Sequence, residues 1–193
     1  MKKINDANVV KWERKGPEKT IASKFGVSVC STIFWNPKTC ENDEYAYFKK
    51  KEGFTVFSLT KDNDVILVQQ FKQGVNQIVI EAPAGVPNKM ETIIEAAERE
   101  LLAETGYKAQ DIIQANSEKF LLAPRKSPSG FNVFLATGCE LVAEQDLDSG
   151  EDAIQILEVS PKEYWSMVKS GEIRATETVT AGFIAVLQGK FSF

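Results

Sequence analysis

Five glutamates crowd the stretch GVPNKMETIIEAAERELLAETGY at residues 85–107: Glu91, Glu95, Glu98, Glu100 and Glu104. Carboxylates at close range have few uses. They pair with cations, take up protons, act as general acids or bases, or hold a hard metal ion through oxygen. The rest of the composition narrows the chemistry further. The chain has no histidine, which removes His-based triads and the common zinc enzymes. Its three cysteines, Cys30, Cys40 and Cys139, lack a C-x-x-C pair. That argues against a disulfide framework or a zinc site and points to a reducing cytoplasm. Chemistry here must run on carboxylates, lysine, tyrosine or a metal held by oxygen.

The acids are not equivalent. Thr92 followed by Glu95 reads as a capping box that starts a helix, and Gly106 reads as its left-handed stop. On a wheel of about 100° per residue, Glu104 lies roughly 40° to one side of Glu100. Ala96 and Ala103 lie roughly 40° and 60° to the other side. Ile93, Ala97, Leu101 and Ile94 form an apolar stripe beginning at the same edge. Glu95 and Glu98 point to water, with Glu95 spaced to pair with Arg99. Glu100 and Glu104 border the core stripe, where two close carboxylates need protonation, neutralising cations or a metal ion.

The full spacing is G-x5-E-x7-R-E-U-x-E-E-x-G-U, carried by Gly85, Glu91, Arg99, Glu100, Glu104 and Gly106, with Leu101 and Tyr107 at the bulky apolar positions. This resembles the Nudix box, the loop–helix–loop signature of hydrolases that cut a nucleoside diphosphate linked to another moiety. The surroundings, VILVQQFKQGV, EAPAG, FLLAP and EVSPKEYWSMVKSGEI, look like the ADP-ribose pyrophosphatase subgroup over roughly residues 54–187. The resemblance implies an α/β/α sandwich with a mixed sheet, and a substrate such as a nucleoside diphosphate sugar. It makes Glu100, Glu104 and the Ala84 carbonyl ligands of Mg²⁺, with Mn²⁺ as a substitute. Arg99 would orient the catalytic glutamates, and Glu91 would pair with Arg99 and hold the loop on the helix. Gly85 would let the backbone turn so that the neighbouring carbonyl faces the metal.

The sequence departs from that pattern in several places. Family members usually carry glutamate where this chain has Ala103, so the ligand set is expected to be one carboxylate short and the activity reduced. A catalytically degenerate nucleotide-binding protein is the alternative. The water-activating base of the subgroup lies in a late loop, here EQDLDSGEDAIQ, where Ser149 stands at the usual position. Glu151 is the candidate base, with Asp148 next. Lys72 stands where relatives often have arginine and is a candidate contact for the diphosphate. Arg125, where glycine is usual, either grips phosphate or terminal sugar or is a loop charge. Trp12, Trp35, Tyr45 and Phe48 could stack a base, although core or dimer packing is their more ordinary use.

Several elements must position these residues. FTVFSLT and VILVQQF, joined by KDND, predict a hairpin, and QIVIEAPAG predicts a strand stopped by Pro83 and Gly85. FLLA, FNVFLATG and AIQILEV read as further strands. PKEYWSMVKSG, opened by Ser160 and Pro161, and ETVTAGFIAVLQ read as helices. The class is therefore α+β, or mixed α/β around a sheet. Residues 1–50 read as an irregular, β-rich N-terminal extension, which the resemblance implies supports a homodimer and helps build the substrate pocket, and residues 51–193 as the hydrolase domain. A net charge of −4 without a long basic run argues against nucleic acid. Apolar runs as short as VILV, and a start without an apolar h-region, give no expectation of a membrane span or secretion signal.

Overall fold

The structure, a computed structural model, describes residues 10–147 and 153–193. Its contacts divide the chain into two units. The first takes the described part of Met1–Lys51 together with Ala123–Ser129. The second takes Glu52–Leu122 and Gly130–Phe193.

In the first unit, β1 (Glu13–Arg14), β2 (Lys19–Lys24), β3 (Val27–Asn36) and β4 (Glu41–Lys50) form one antiparallel sheet around β3. The irregular reading of this region is corrected here. ENDEYAYF is part of a ten-residue strand in unbroken register with β3, from Asn36↔Glu41 to Val27↔Lys50. Polar residues on both faces hide the alternation that normally marks a strand. The turn before it closes on Cys40, whose φ of 58° lies in the left-handed region.

The second unit is built on a mixed sheet of order β10-β12-β5-β6-β13. Here β5 is Gly53–Thr60, β6 Val65–Lys72, β10 Asp111–Gln114, β12 Gly130–Leu141 and β13 Gln155–Val159. Only the β12–β5 pair on this path is parallel. Short strands pair with its inner strands: β7 (Gln77–Glu81) with β6, β8 (Ala84–Gly85) with β5, and β9 (Tyr107–Lys108) and β11 (Phe120–Leu121) with β12. The hairpin expected around KDND is β5–β6, with Asn63 at φ 67° in its turn.

Both faces of this sheet are apolar, so it must be covered twice. Phe54 and Val56 of β5, Ile66 of β6 and Phe134 and Ala136 of β12 face helix α1 (Ile93–Thr105) through its Ala96, Ala97 and Leu101. The alternate residues Phe57, Leu59, Val65, Leu67, Val133 and Leu135 face the other layer. That layer is α2 (Pro161–Ser170), α3 (Thr176–Leu187) and Phe191. The result is the expected α/β/α sandwich.

The helix ends follow from local chemistry. Thr92 and Glu95 form the reciprocal capping box of α1, and Gly106 closes it at φ 73°. Ser160 caps α2 by accepting from the Glu163 N–H, and Gly171 ends it. In the second layer the Tyr164 hydroxyl donates to the Thr178 carbonyl at 2.9 Å. Gly182 of α3 packs so closely on that ring that a methyl group would overlap the hydroxyl. Gly182→Ala is therefore expected to lower stability by about 1–3 kcal/mol through overpacking, read as a fall in the denaturation midpoint with the far-ultraviolet spectrum unchanged.

Candidate active site

The motif residues gather where the second half of α1 meets the loop leaving β7. Glu104 is almost wholly buried, at 2% exposure, and its Oε2 accepts the Ala84 N–H at 3.2 Å. Burying a carboxylate is costly unless hydrogen bonds or charges compensate it. The ladder explains why Ala84 can help. Val56 N–H donates to the Pro83 carbonyl at 2.8 Å, and Thr55 pairs opposite Ala84. Alternation along an antiparallel pair then turns both the N–H and the carbonyl of Ala84 away from β5. The N–H is seen on Glu104, and the carbonyl shares that side.

Glu100 lies one helical turn earlier, against Gly85. A Cβ at Gly85 would stand 2.5 Å from Glu100 Cγ and Oε1. Gly85 has no left-handed φ, and it is required for space, where the resemblance implied a role in turning the backbone. Arg99 ties the acids together. Its Nε and Nη2 donate to the two carboxylate oxygens of Glu91 at 2.8 and 3.0 Å, and its Nη1 lies 3.0 Å from Glu100 Oε1. Glu91 also accepts the Asn88 N–H at 3.0 Å, which fixes the loop before the helix. Arg99, followed by the Asn88 N–H, holds the Glu91 carboxyl down at about 2. The same pairing raises Arg99 above its ordinary value.

Two details of the helix differ from the wheel. Glu95 does not pair with Arg99; its Oε2 is held by the Thr92 N–H at 2.8 Å and the Thr92 hydroxyl at 2.6 Å. Ile94 is exposed, and the buried face is Ala96, Ala97, Leu101, Glu104 and Thr105. The core thus reaches further toward Glu104 than an apolar stripe can indicate. Tyr107, in the last bulky position of the motif, is buried beside it, and burial pushes its hydroxyl up to about 12.

The remaining candidates fall in both units or outside the described residues. Lys72, at the end of β6, makes an ion pair with Glu81 at 2.5 Å, and Glu81 also accepts from Gln70 Nε2 at 3.0 Å. Glu81 was not singled out from sequence, although it opens the EAPAG segment leading to Ala84. Arg125 lies in the first unit on an exposed turn, where the Lys126 and Ser127 N–H groups close onto the Ala123 carbonyl. Trp12, Trp35, Tyr45 and Phe48 belong to the same unit, with Trp12 and Phe34 each edge-on to Tyr45. Glu151, Asp148 and Ser149 lie outside the described residues. Ala103 is partly exposed, and its carbonyl accepts the Asp146 N–H at 3.0 Å.

Among the described residues, no three Cys, Asp or Glu side chains gather as a metal cage. The donor set that the resemblance implies, the Glu100 and Glu104 carboxylates and the Ala84 carbonyl, is all oxygen. That chemistry suits Mg²⁺, Mn²⁺ or Ca²⁺ and disfavours zinc or copper. The residues present fit a hard divalent cation.

The profile of the NUDIX domain matches residues 49–181. The chain belongs to the Nudix family. Its match to the ADP-ribose pyrophosphatase of Bacillus subtilis (strain 168) is 28% identical over 133 residues, covering 69% of this chain and 71% of that one. The ADP-ribose pyrophosphatase of Saccharomyces cerevisiae is 32% identical over 107 residues, which span 54% of this chain and 41% of the yeast protein. A crystal structure of an ADP compounds hydrolase superposes with a TM-score of 0.78 over 95% of this chain and 98% of its own, at 18% identity. At that identity the superposition speaks to the fold. Within the Nudix family, the chain resembles the ADP-ribose pyrophosphatases.

The Glu91–Arg99 clamp carries a pH signature. Glu91 titrates at about 2 in the folded chain, against an ordinary value of 4.5. Its contribution is therefore fully present above pH 4.5 and lost as the pH falls through about 2. The stability difference between wild type and Glu91→Gln is expected to be flat from pH 7 to about 5 and to shrink steadily below that. Denaturant titrations of both proteins across this range measure it.

Proposed function

We propose that this Nudix protein is a Mg²⁺-dependent hydrolase, with Mn²⁺ as a substitute, that cleaves the pyrophosphate of a nucleoside diphosphate sugar of the ADP-ribose type. The products would be a nucleoside monophosphate and a sugar phosphate. The observation that carries the reading is the placement of Glu100 and Glu104 side by side against Ala84–Gly85, with Arg99 bridging Glu91 to Glu100. The likeness to the two ADP-ribose pyrophosphatases supports the substrate class.

Glu100, Glu104 and the Ala84 carbonyl would hold the cation. When bound, it would screen the diphosphate charge, orient the substrate and help to activate water. The chain's own residues do the rest. Arg99 fixes the direction of Glu100, Glu91 locks Arg99 to the loop, and the Ala84 N–H holds Glu104 in place. Arg99 belongs with these carboxylates as a catalytic-site group whose charge offsets theirs. We assign Glu151 to accept the proton of the attacking water, and Asp148 as the next candidate. Lys72 and Arg125 are assigned to the phosphates, Lys72 after exchanging its Glu81 partner.

Ala103 leaves the ligand set one carboxylate short of the family pattern, and we propose reduced activity as the result. The competing reading, a nucleotide-binding protein without turnover, rests on the same residue. We also propose a cytoplasmic homodimer built through the N-terminal region. Val27, Val29, Ile33 and Phe48 support this, because all four remain exposed on one side of β3 and β4, an apolar surface that association would cover. Among the described residues no helix is long and apolar enough to cross a membrane.

Purified protein is expected to hydrolyse ADP-ribose or a related nucleotide sugar with Mg²⁺ or Mn²⁺, and Glu100→Gln and Glu104→Gln to lose about 100-fold or more of that rate. No turnover over a panel of nucleotide sugars and dinucleotides, or variants equal to wild type, defeats the reading. Ala103→Glu is expected to lower the Mn²⁺ concentration for half-maximal rate by about 10-fold. If wild type only binds nucleotide and Ala103→Glu first confers turnover, the competing reading holds instead.

A further inference from the structure

The last turn of α1 carries Glu104, and its carbonyls need donors from outside the helix. The Gly106 N–H supplies one, to Leu102 at 2.7 Å. Two more come from the chain leaving β12. The Asp146 N–H donates to the Ala103 carbonyl at 3.0 Å, and Gln145 Nε2 donates to the Glu104 carbonyl at 2.5 Å. The Val142 and Ala143 N–H groups donate to the Gly106 carbonyl at 2.9 and 3.2 Å. Gln145 differs from these backbone donors in reaching two elements at once. The same amide nitrogen donates to the Ile154 carbonyl at 3.2 Å, directly before β13. Gln145 is only partly buried, and both hydrogen bonds of its amide nitrogen run to main-chain carbonyls.

We propose that Gln145 is a positioning residue for the cation site. It acts through Glu104, whose residue is gripped at both ends: the carboxylate by the Ala84 N–H and the main-chain carbonyl by the Gln145 amide. By joining that carbonyl to Ile154, Gln145 sets the end of α1 against the beginning of β13. A shift of the last turn would move the Glu104 carboxylate relative to Ala84 and Glu100, and cation affinity depends steeply on such geometry. The inference rests on the reading of Glu100 and Glu104 as cation ligands.

The test is Mn²⁺ binding to the full chain, followed by electron paramagnetic resonance without substrate, for wild type, Gln145→Leu and Gln145→Asn. Leucine keeps the bulk and removes the donor; asparagine keeps the donor on a shorter arm that reaches one carbonyl. Thermal melts of each protein fix a temperature at which all are folded. Gln145→Leu is expected to bind Mn²⁺ about 10-fold more weakly, with Gln145→Asn between it and wild type. In turnover assays the Gln145→Leu rate should recover at saturating Mn²⁺, with the substrate KM little changed. Equal Mn²⁺ affinity in wild type and both variants, even with a lowered melting midpoint, overturns the proposal and leaves Gln145 as a helix cap only. A wild type that binds no Mn²⁺ overturns the reading of the site itself, and the proposal with it.

Discussion

Two carboxylates one helical turn apart, one of them buried, repel each other and lose their hydration, and the surroundings of α1 answer that cost in detail. Glu104 receives a main-chain N–H from Ala84, and Glu100 receives the guanidinium of Arg99. Arg99 is in turn neutralised and oriented by the two oxygens of Glu91. None of these contacts would suffice alone. The arrangement holds because each partner is fixed by another: Glu91 by the Asn88 N–H, Ala84 by its place in the ladder with β5. Glycine at position 85 follows from the same constraint, since Glu100 occupies the space where a side chain would begin.

Precision at such a site depends on rigid supports. The start of α1 is closed by its own capping box and its end by a different stretch of chain, residues 142–146. The loop carrying Ala84 is supported from the opposite layer, where the Thr178 hydroxyl of α3 accepts the Ala82 N–H at 2.9 Å in a fully buried setting. The two faces of the sheet therefore meet at this loop: α1 supplies the acids, and α3 steadies the backbone they lean on. The sandwich and the site share these contacts, and so does the cost of disturbing them.

Much of this was legible in the chain. The capping box at Thr92, the Gly106 stop, the Ser160–Pro161 start of α2 and the KDND hairpin are local features, decided by neighbouring residues that compete for the same backbone groups. The wheel separated Glu100 and Glu104 from Glu98 because the helical period is set by backbone geometry. It failed at Arg99, where the i,i+4 rule favoured Glu95. The structure gives Glu95 to the Thr92 cap and Arg99 to Glu91, eight residues away and outside the helix. Strand β4 was missed because its polar residues lie on both faces and the alternation carries no contrast.

The amino-acid order by itself determined the residue types, the spacing of the acids, the helix limits and the family to which the chain belongs, because each of these is written in near neighbours or in a fixed pattern. Which face of α1 is buried, where Glu104 finds its N–H, why Gly85 must be small and what holds the last turn of the helix were decided only on folding. Those answers come from Ala84, Gln145, Thr178 and Ile154, residues far apart along the chain. Hydrogen bonds between distant segments have no period, so only the packed sheet and helices could place them.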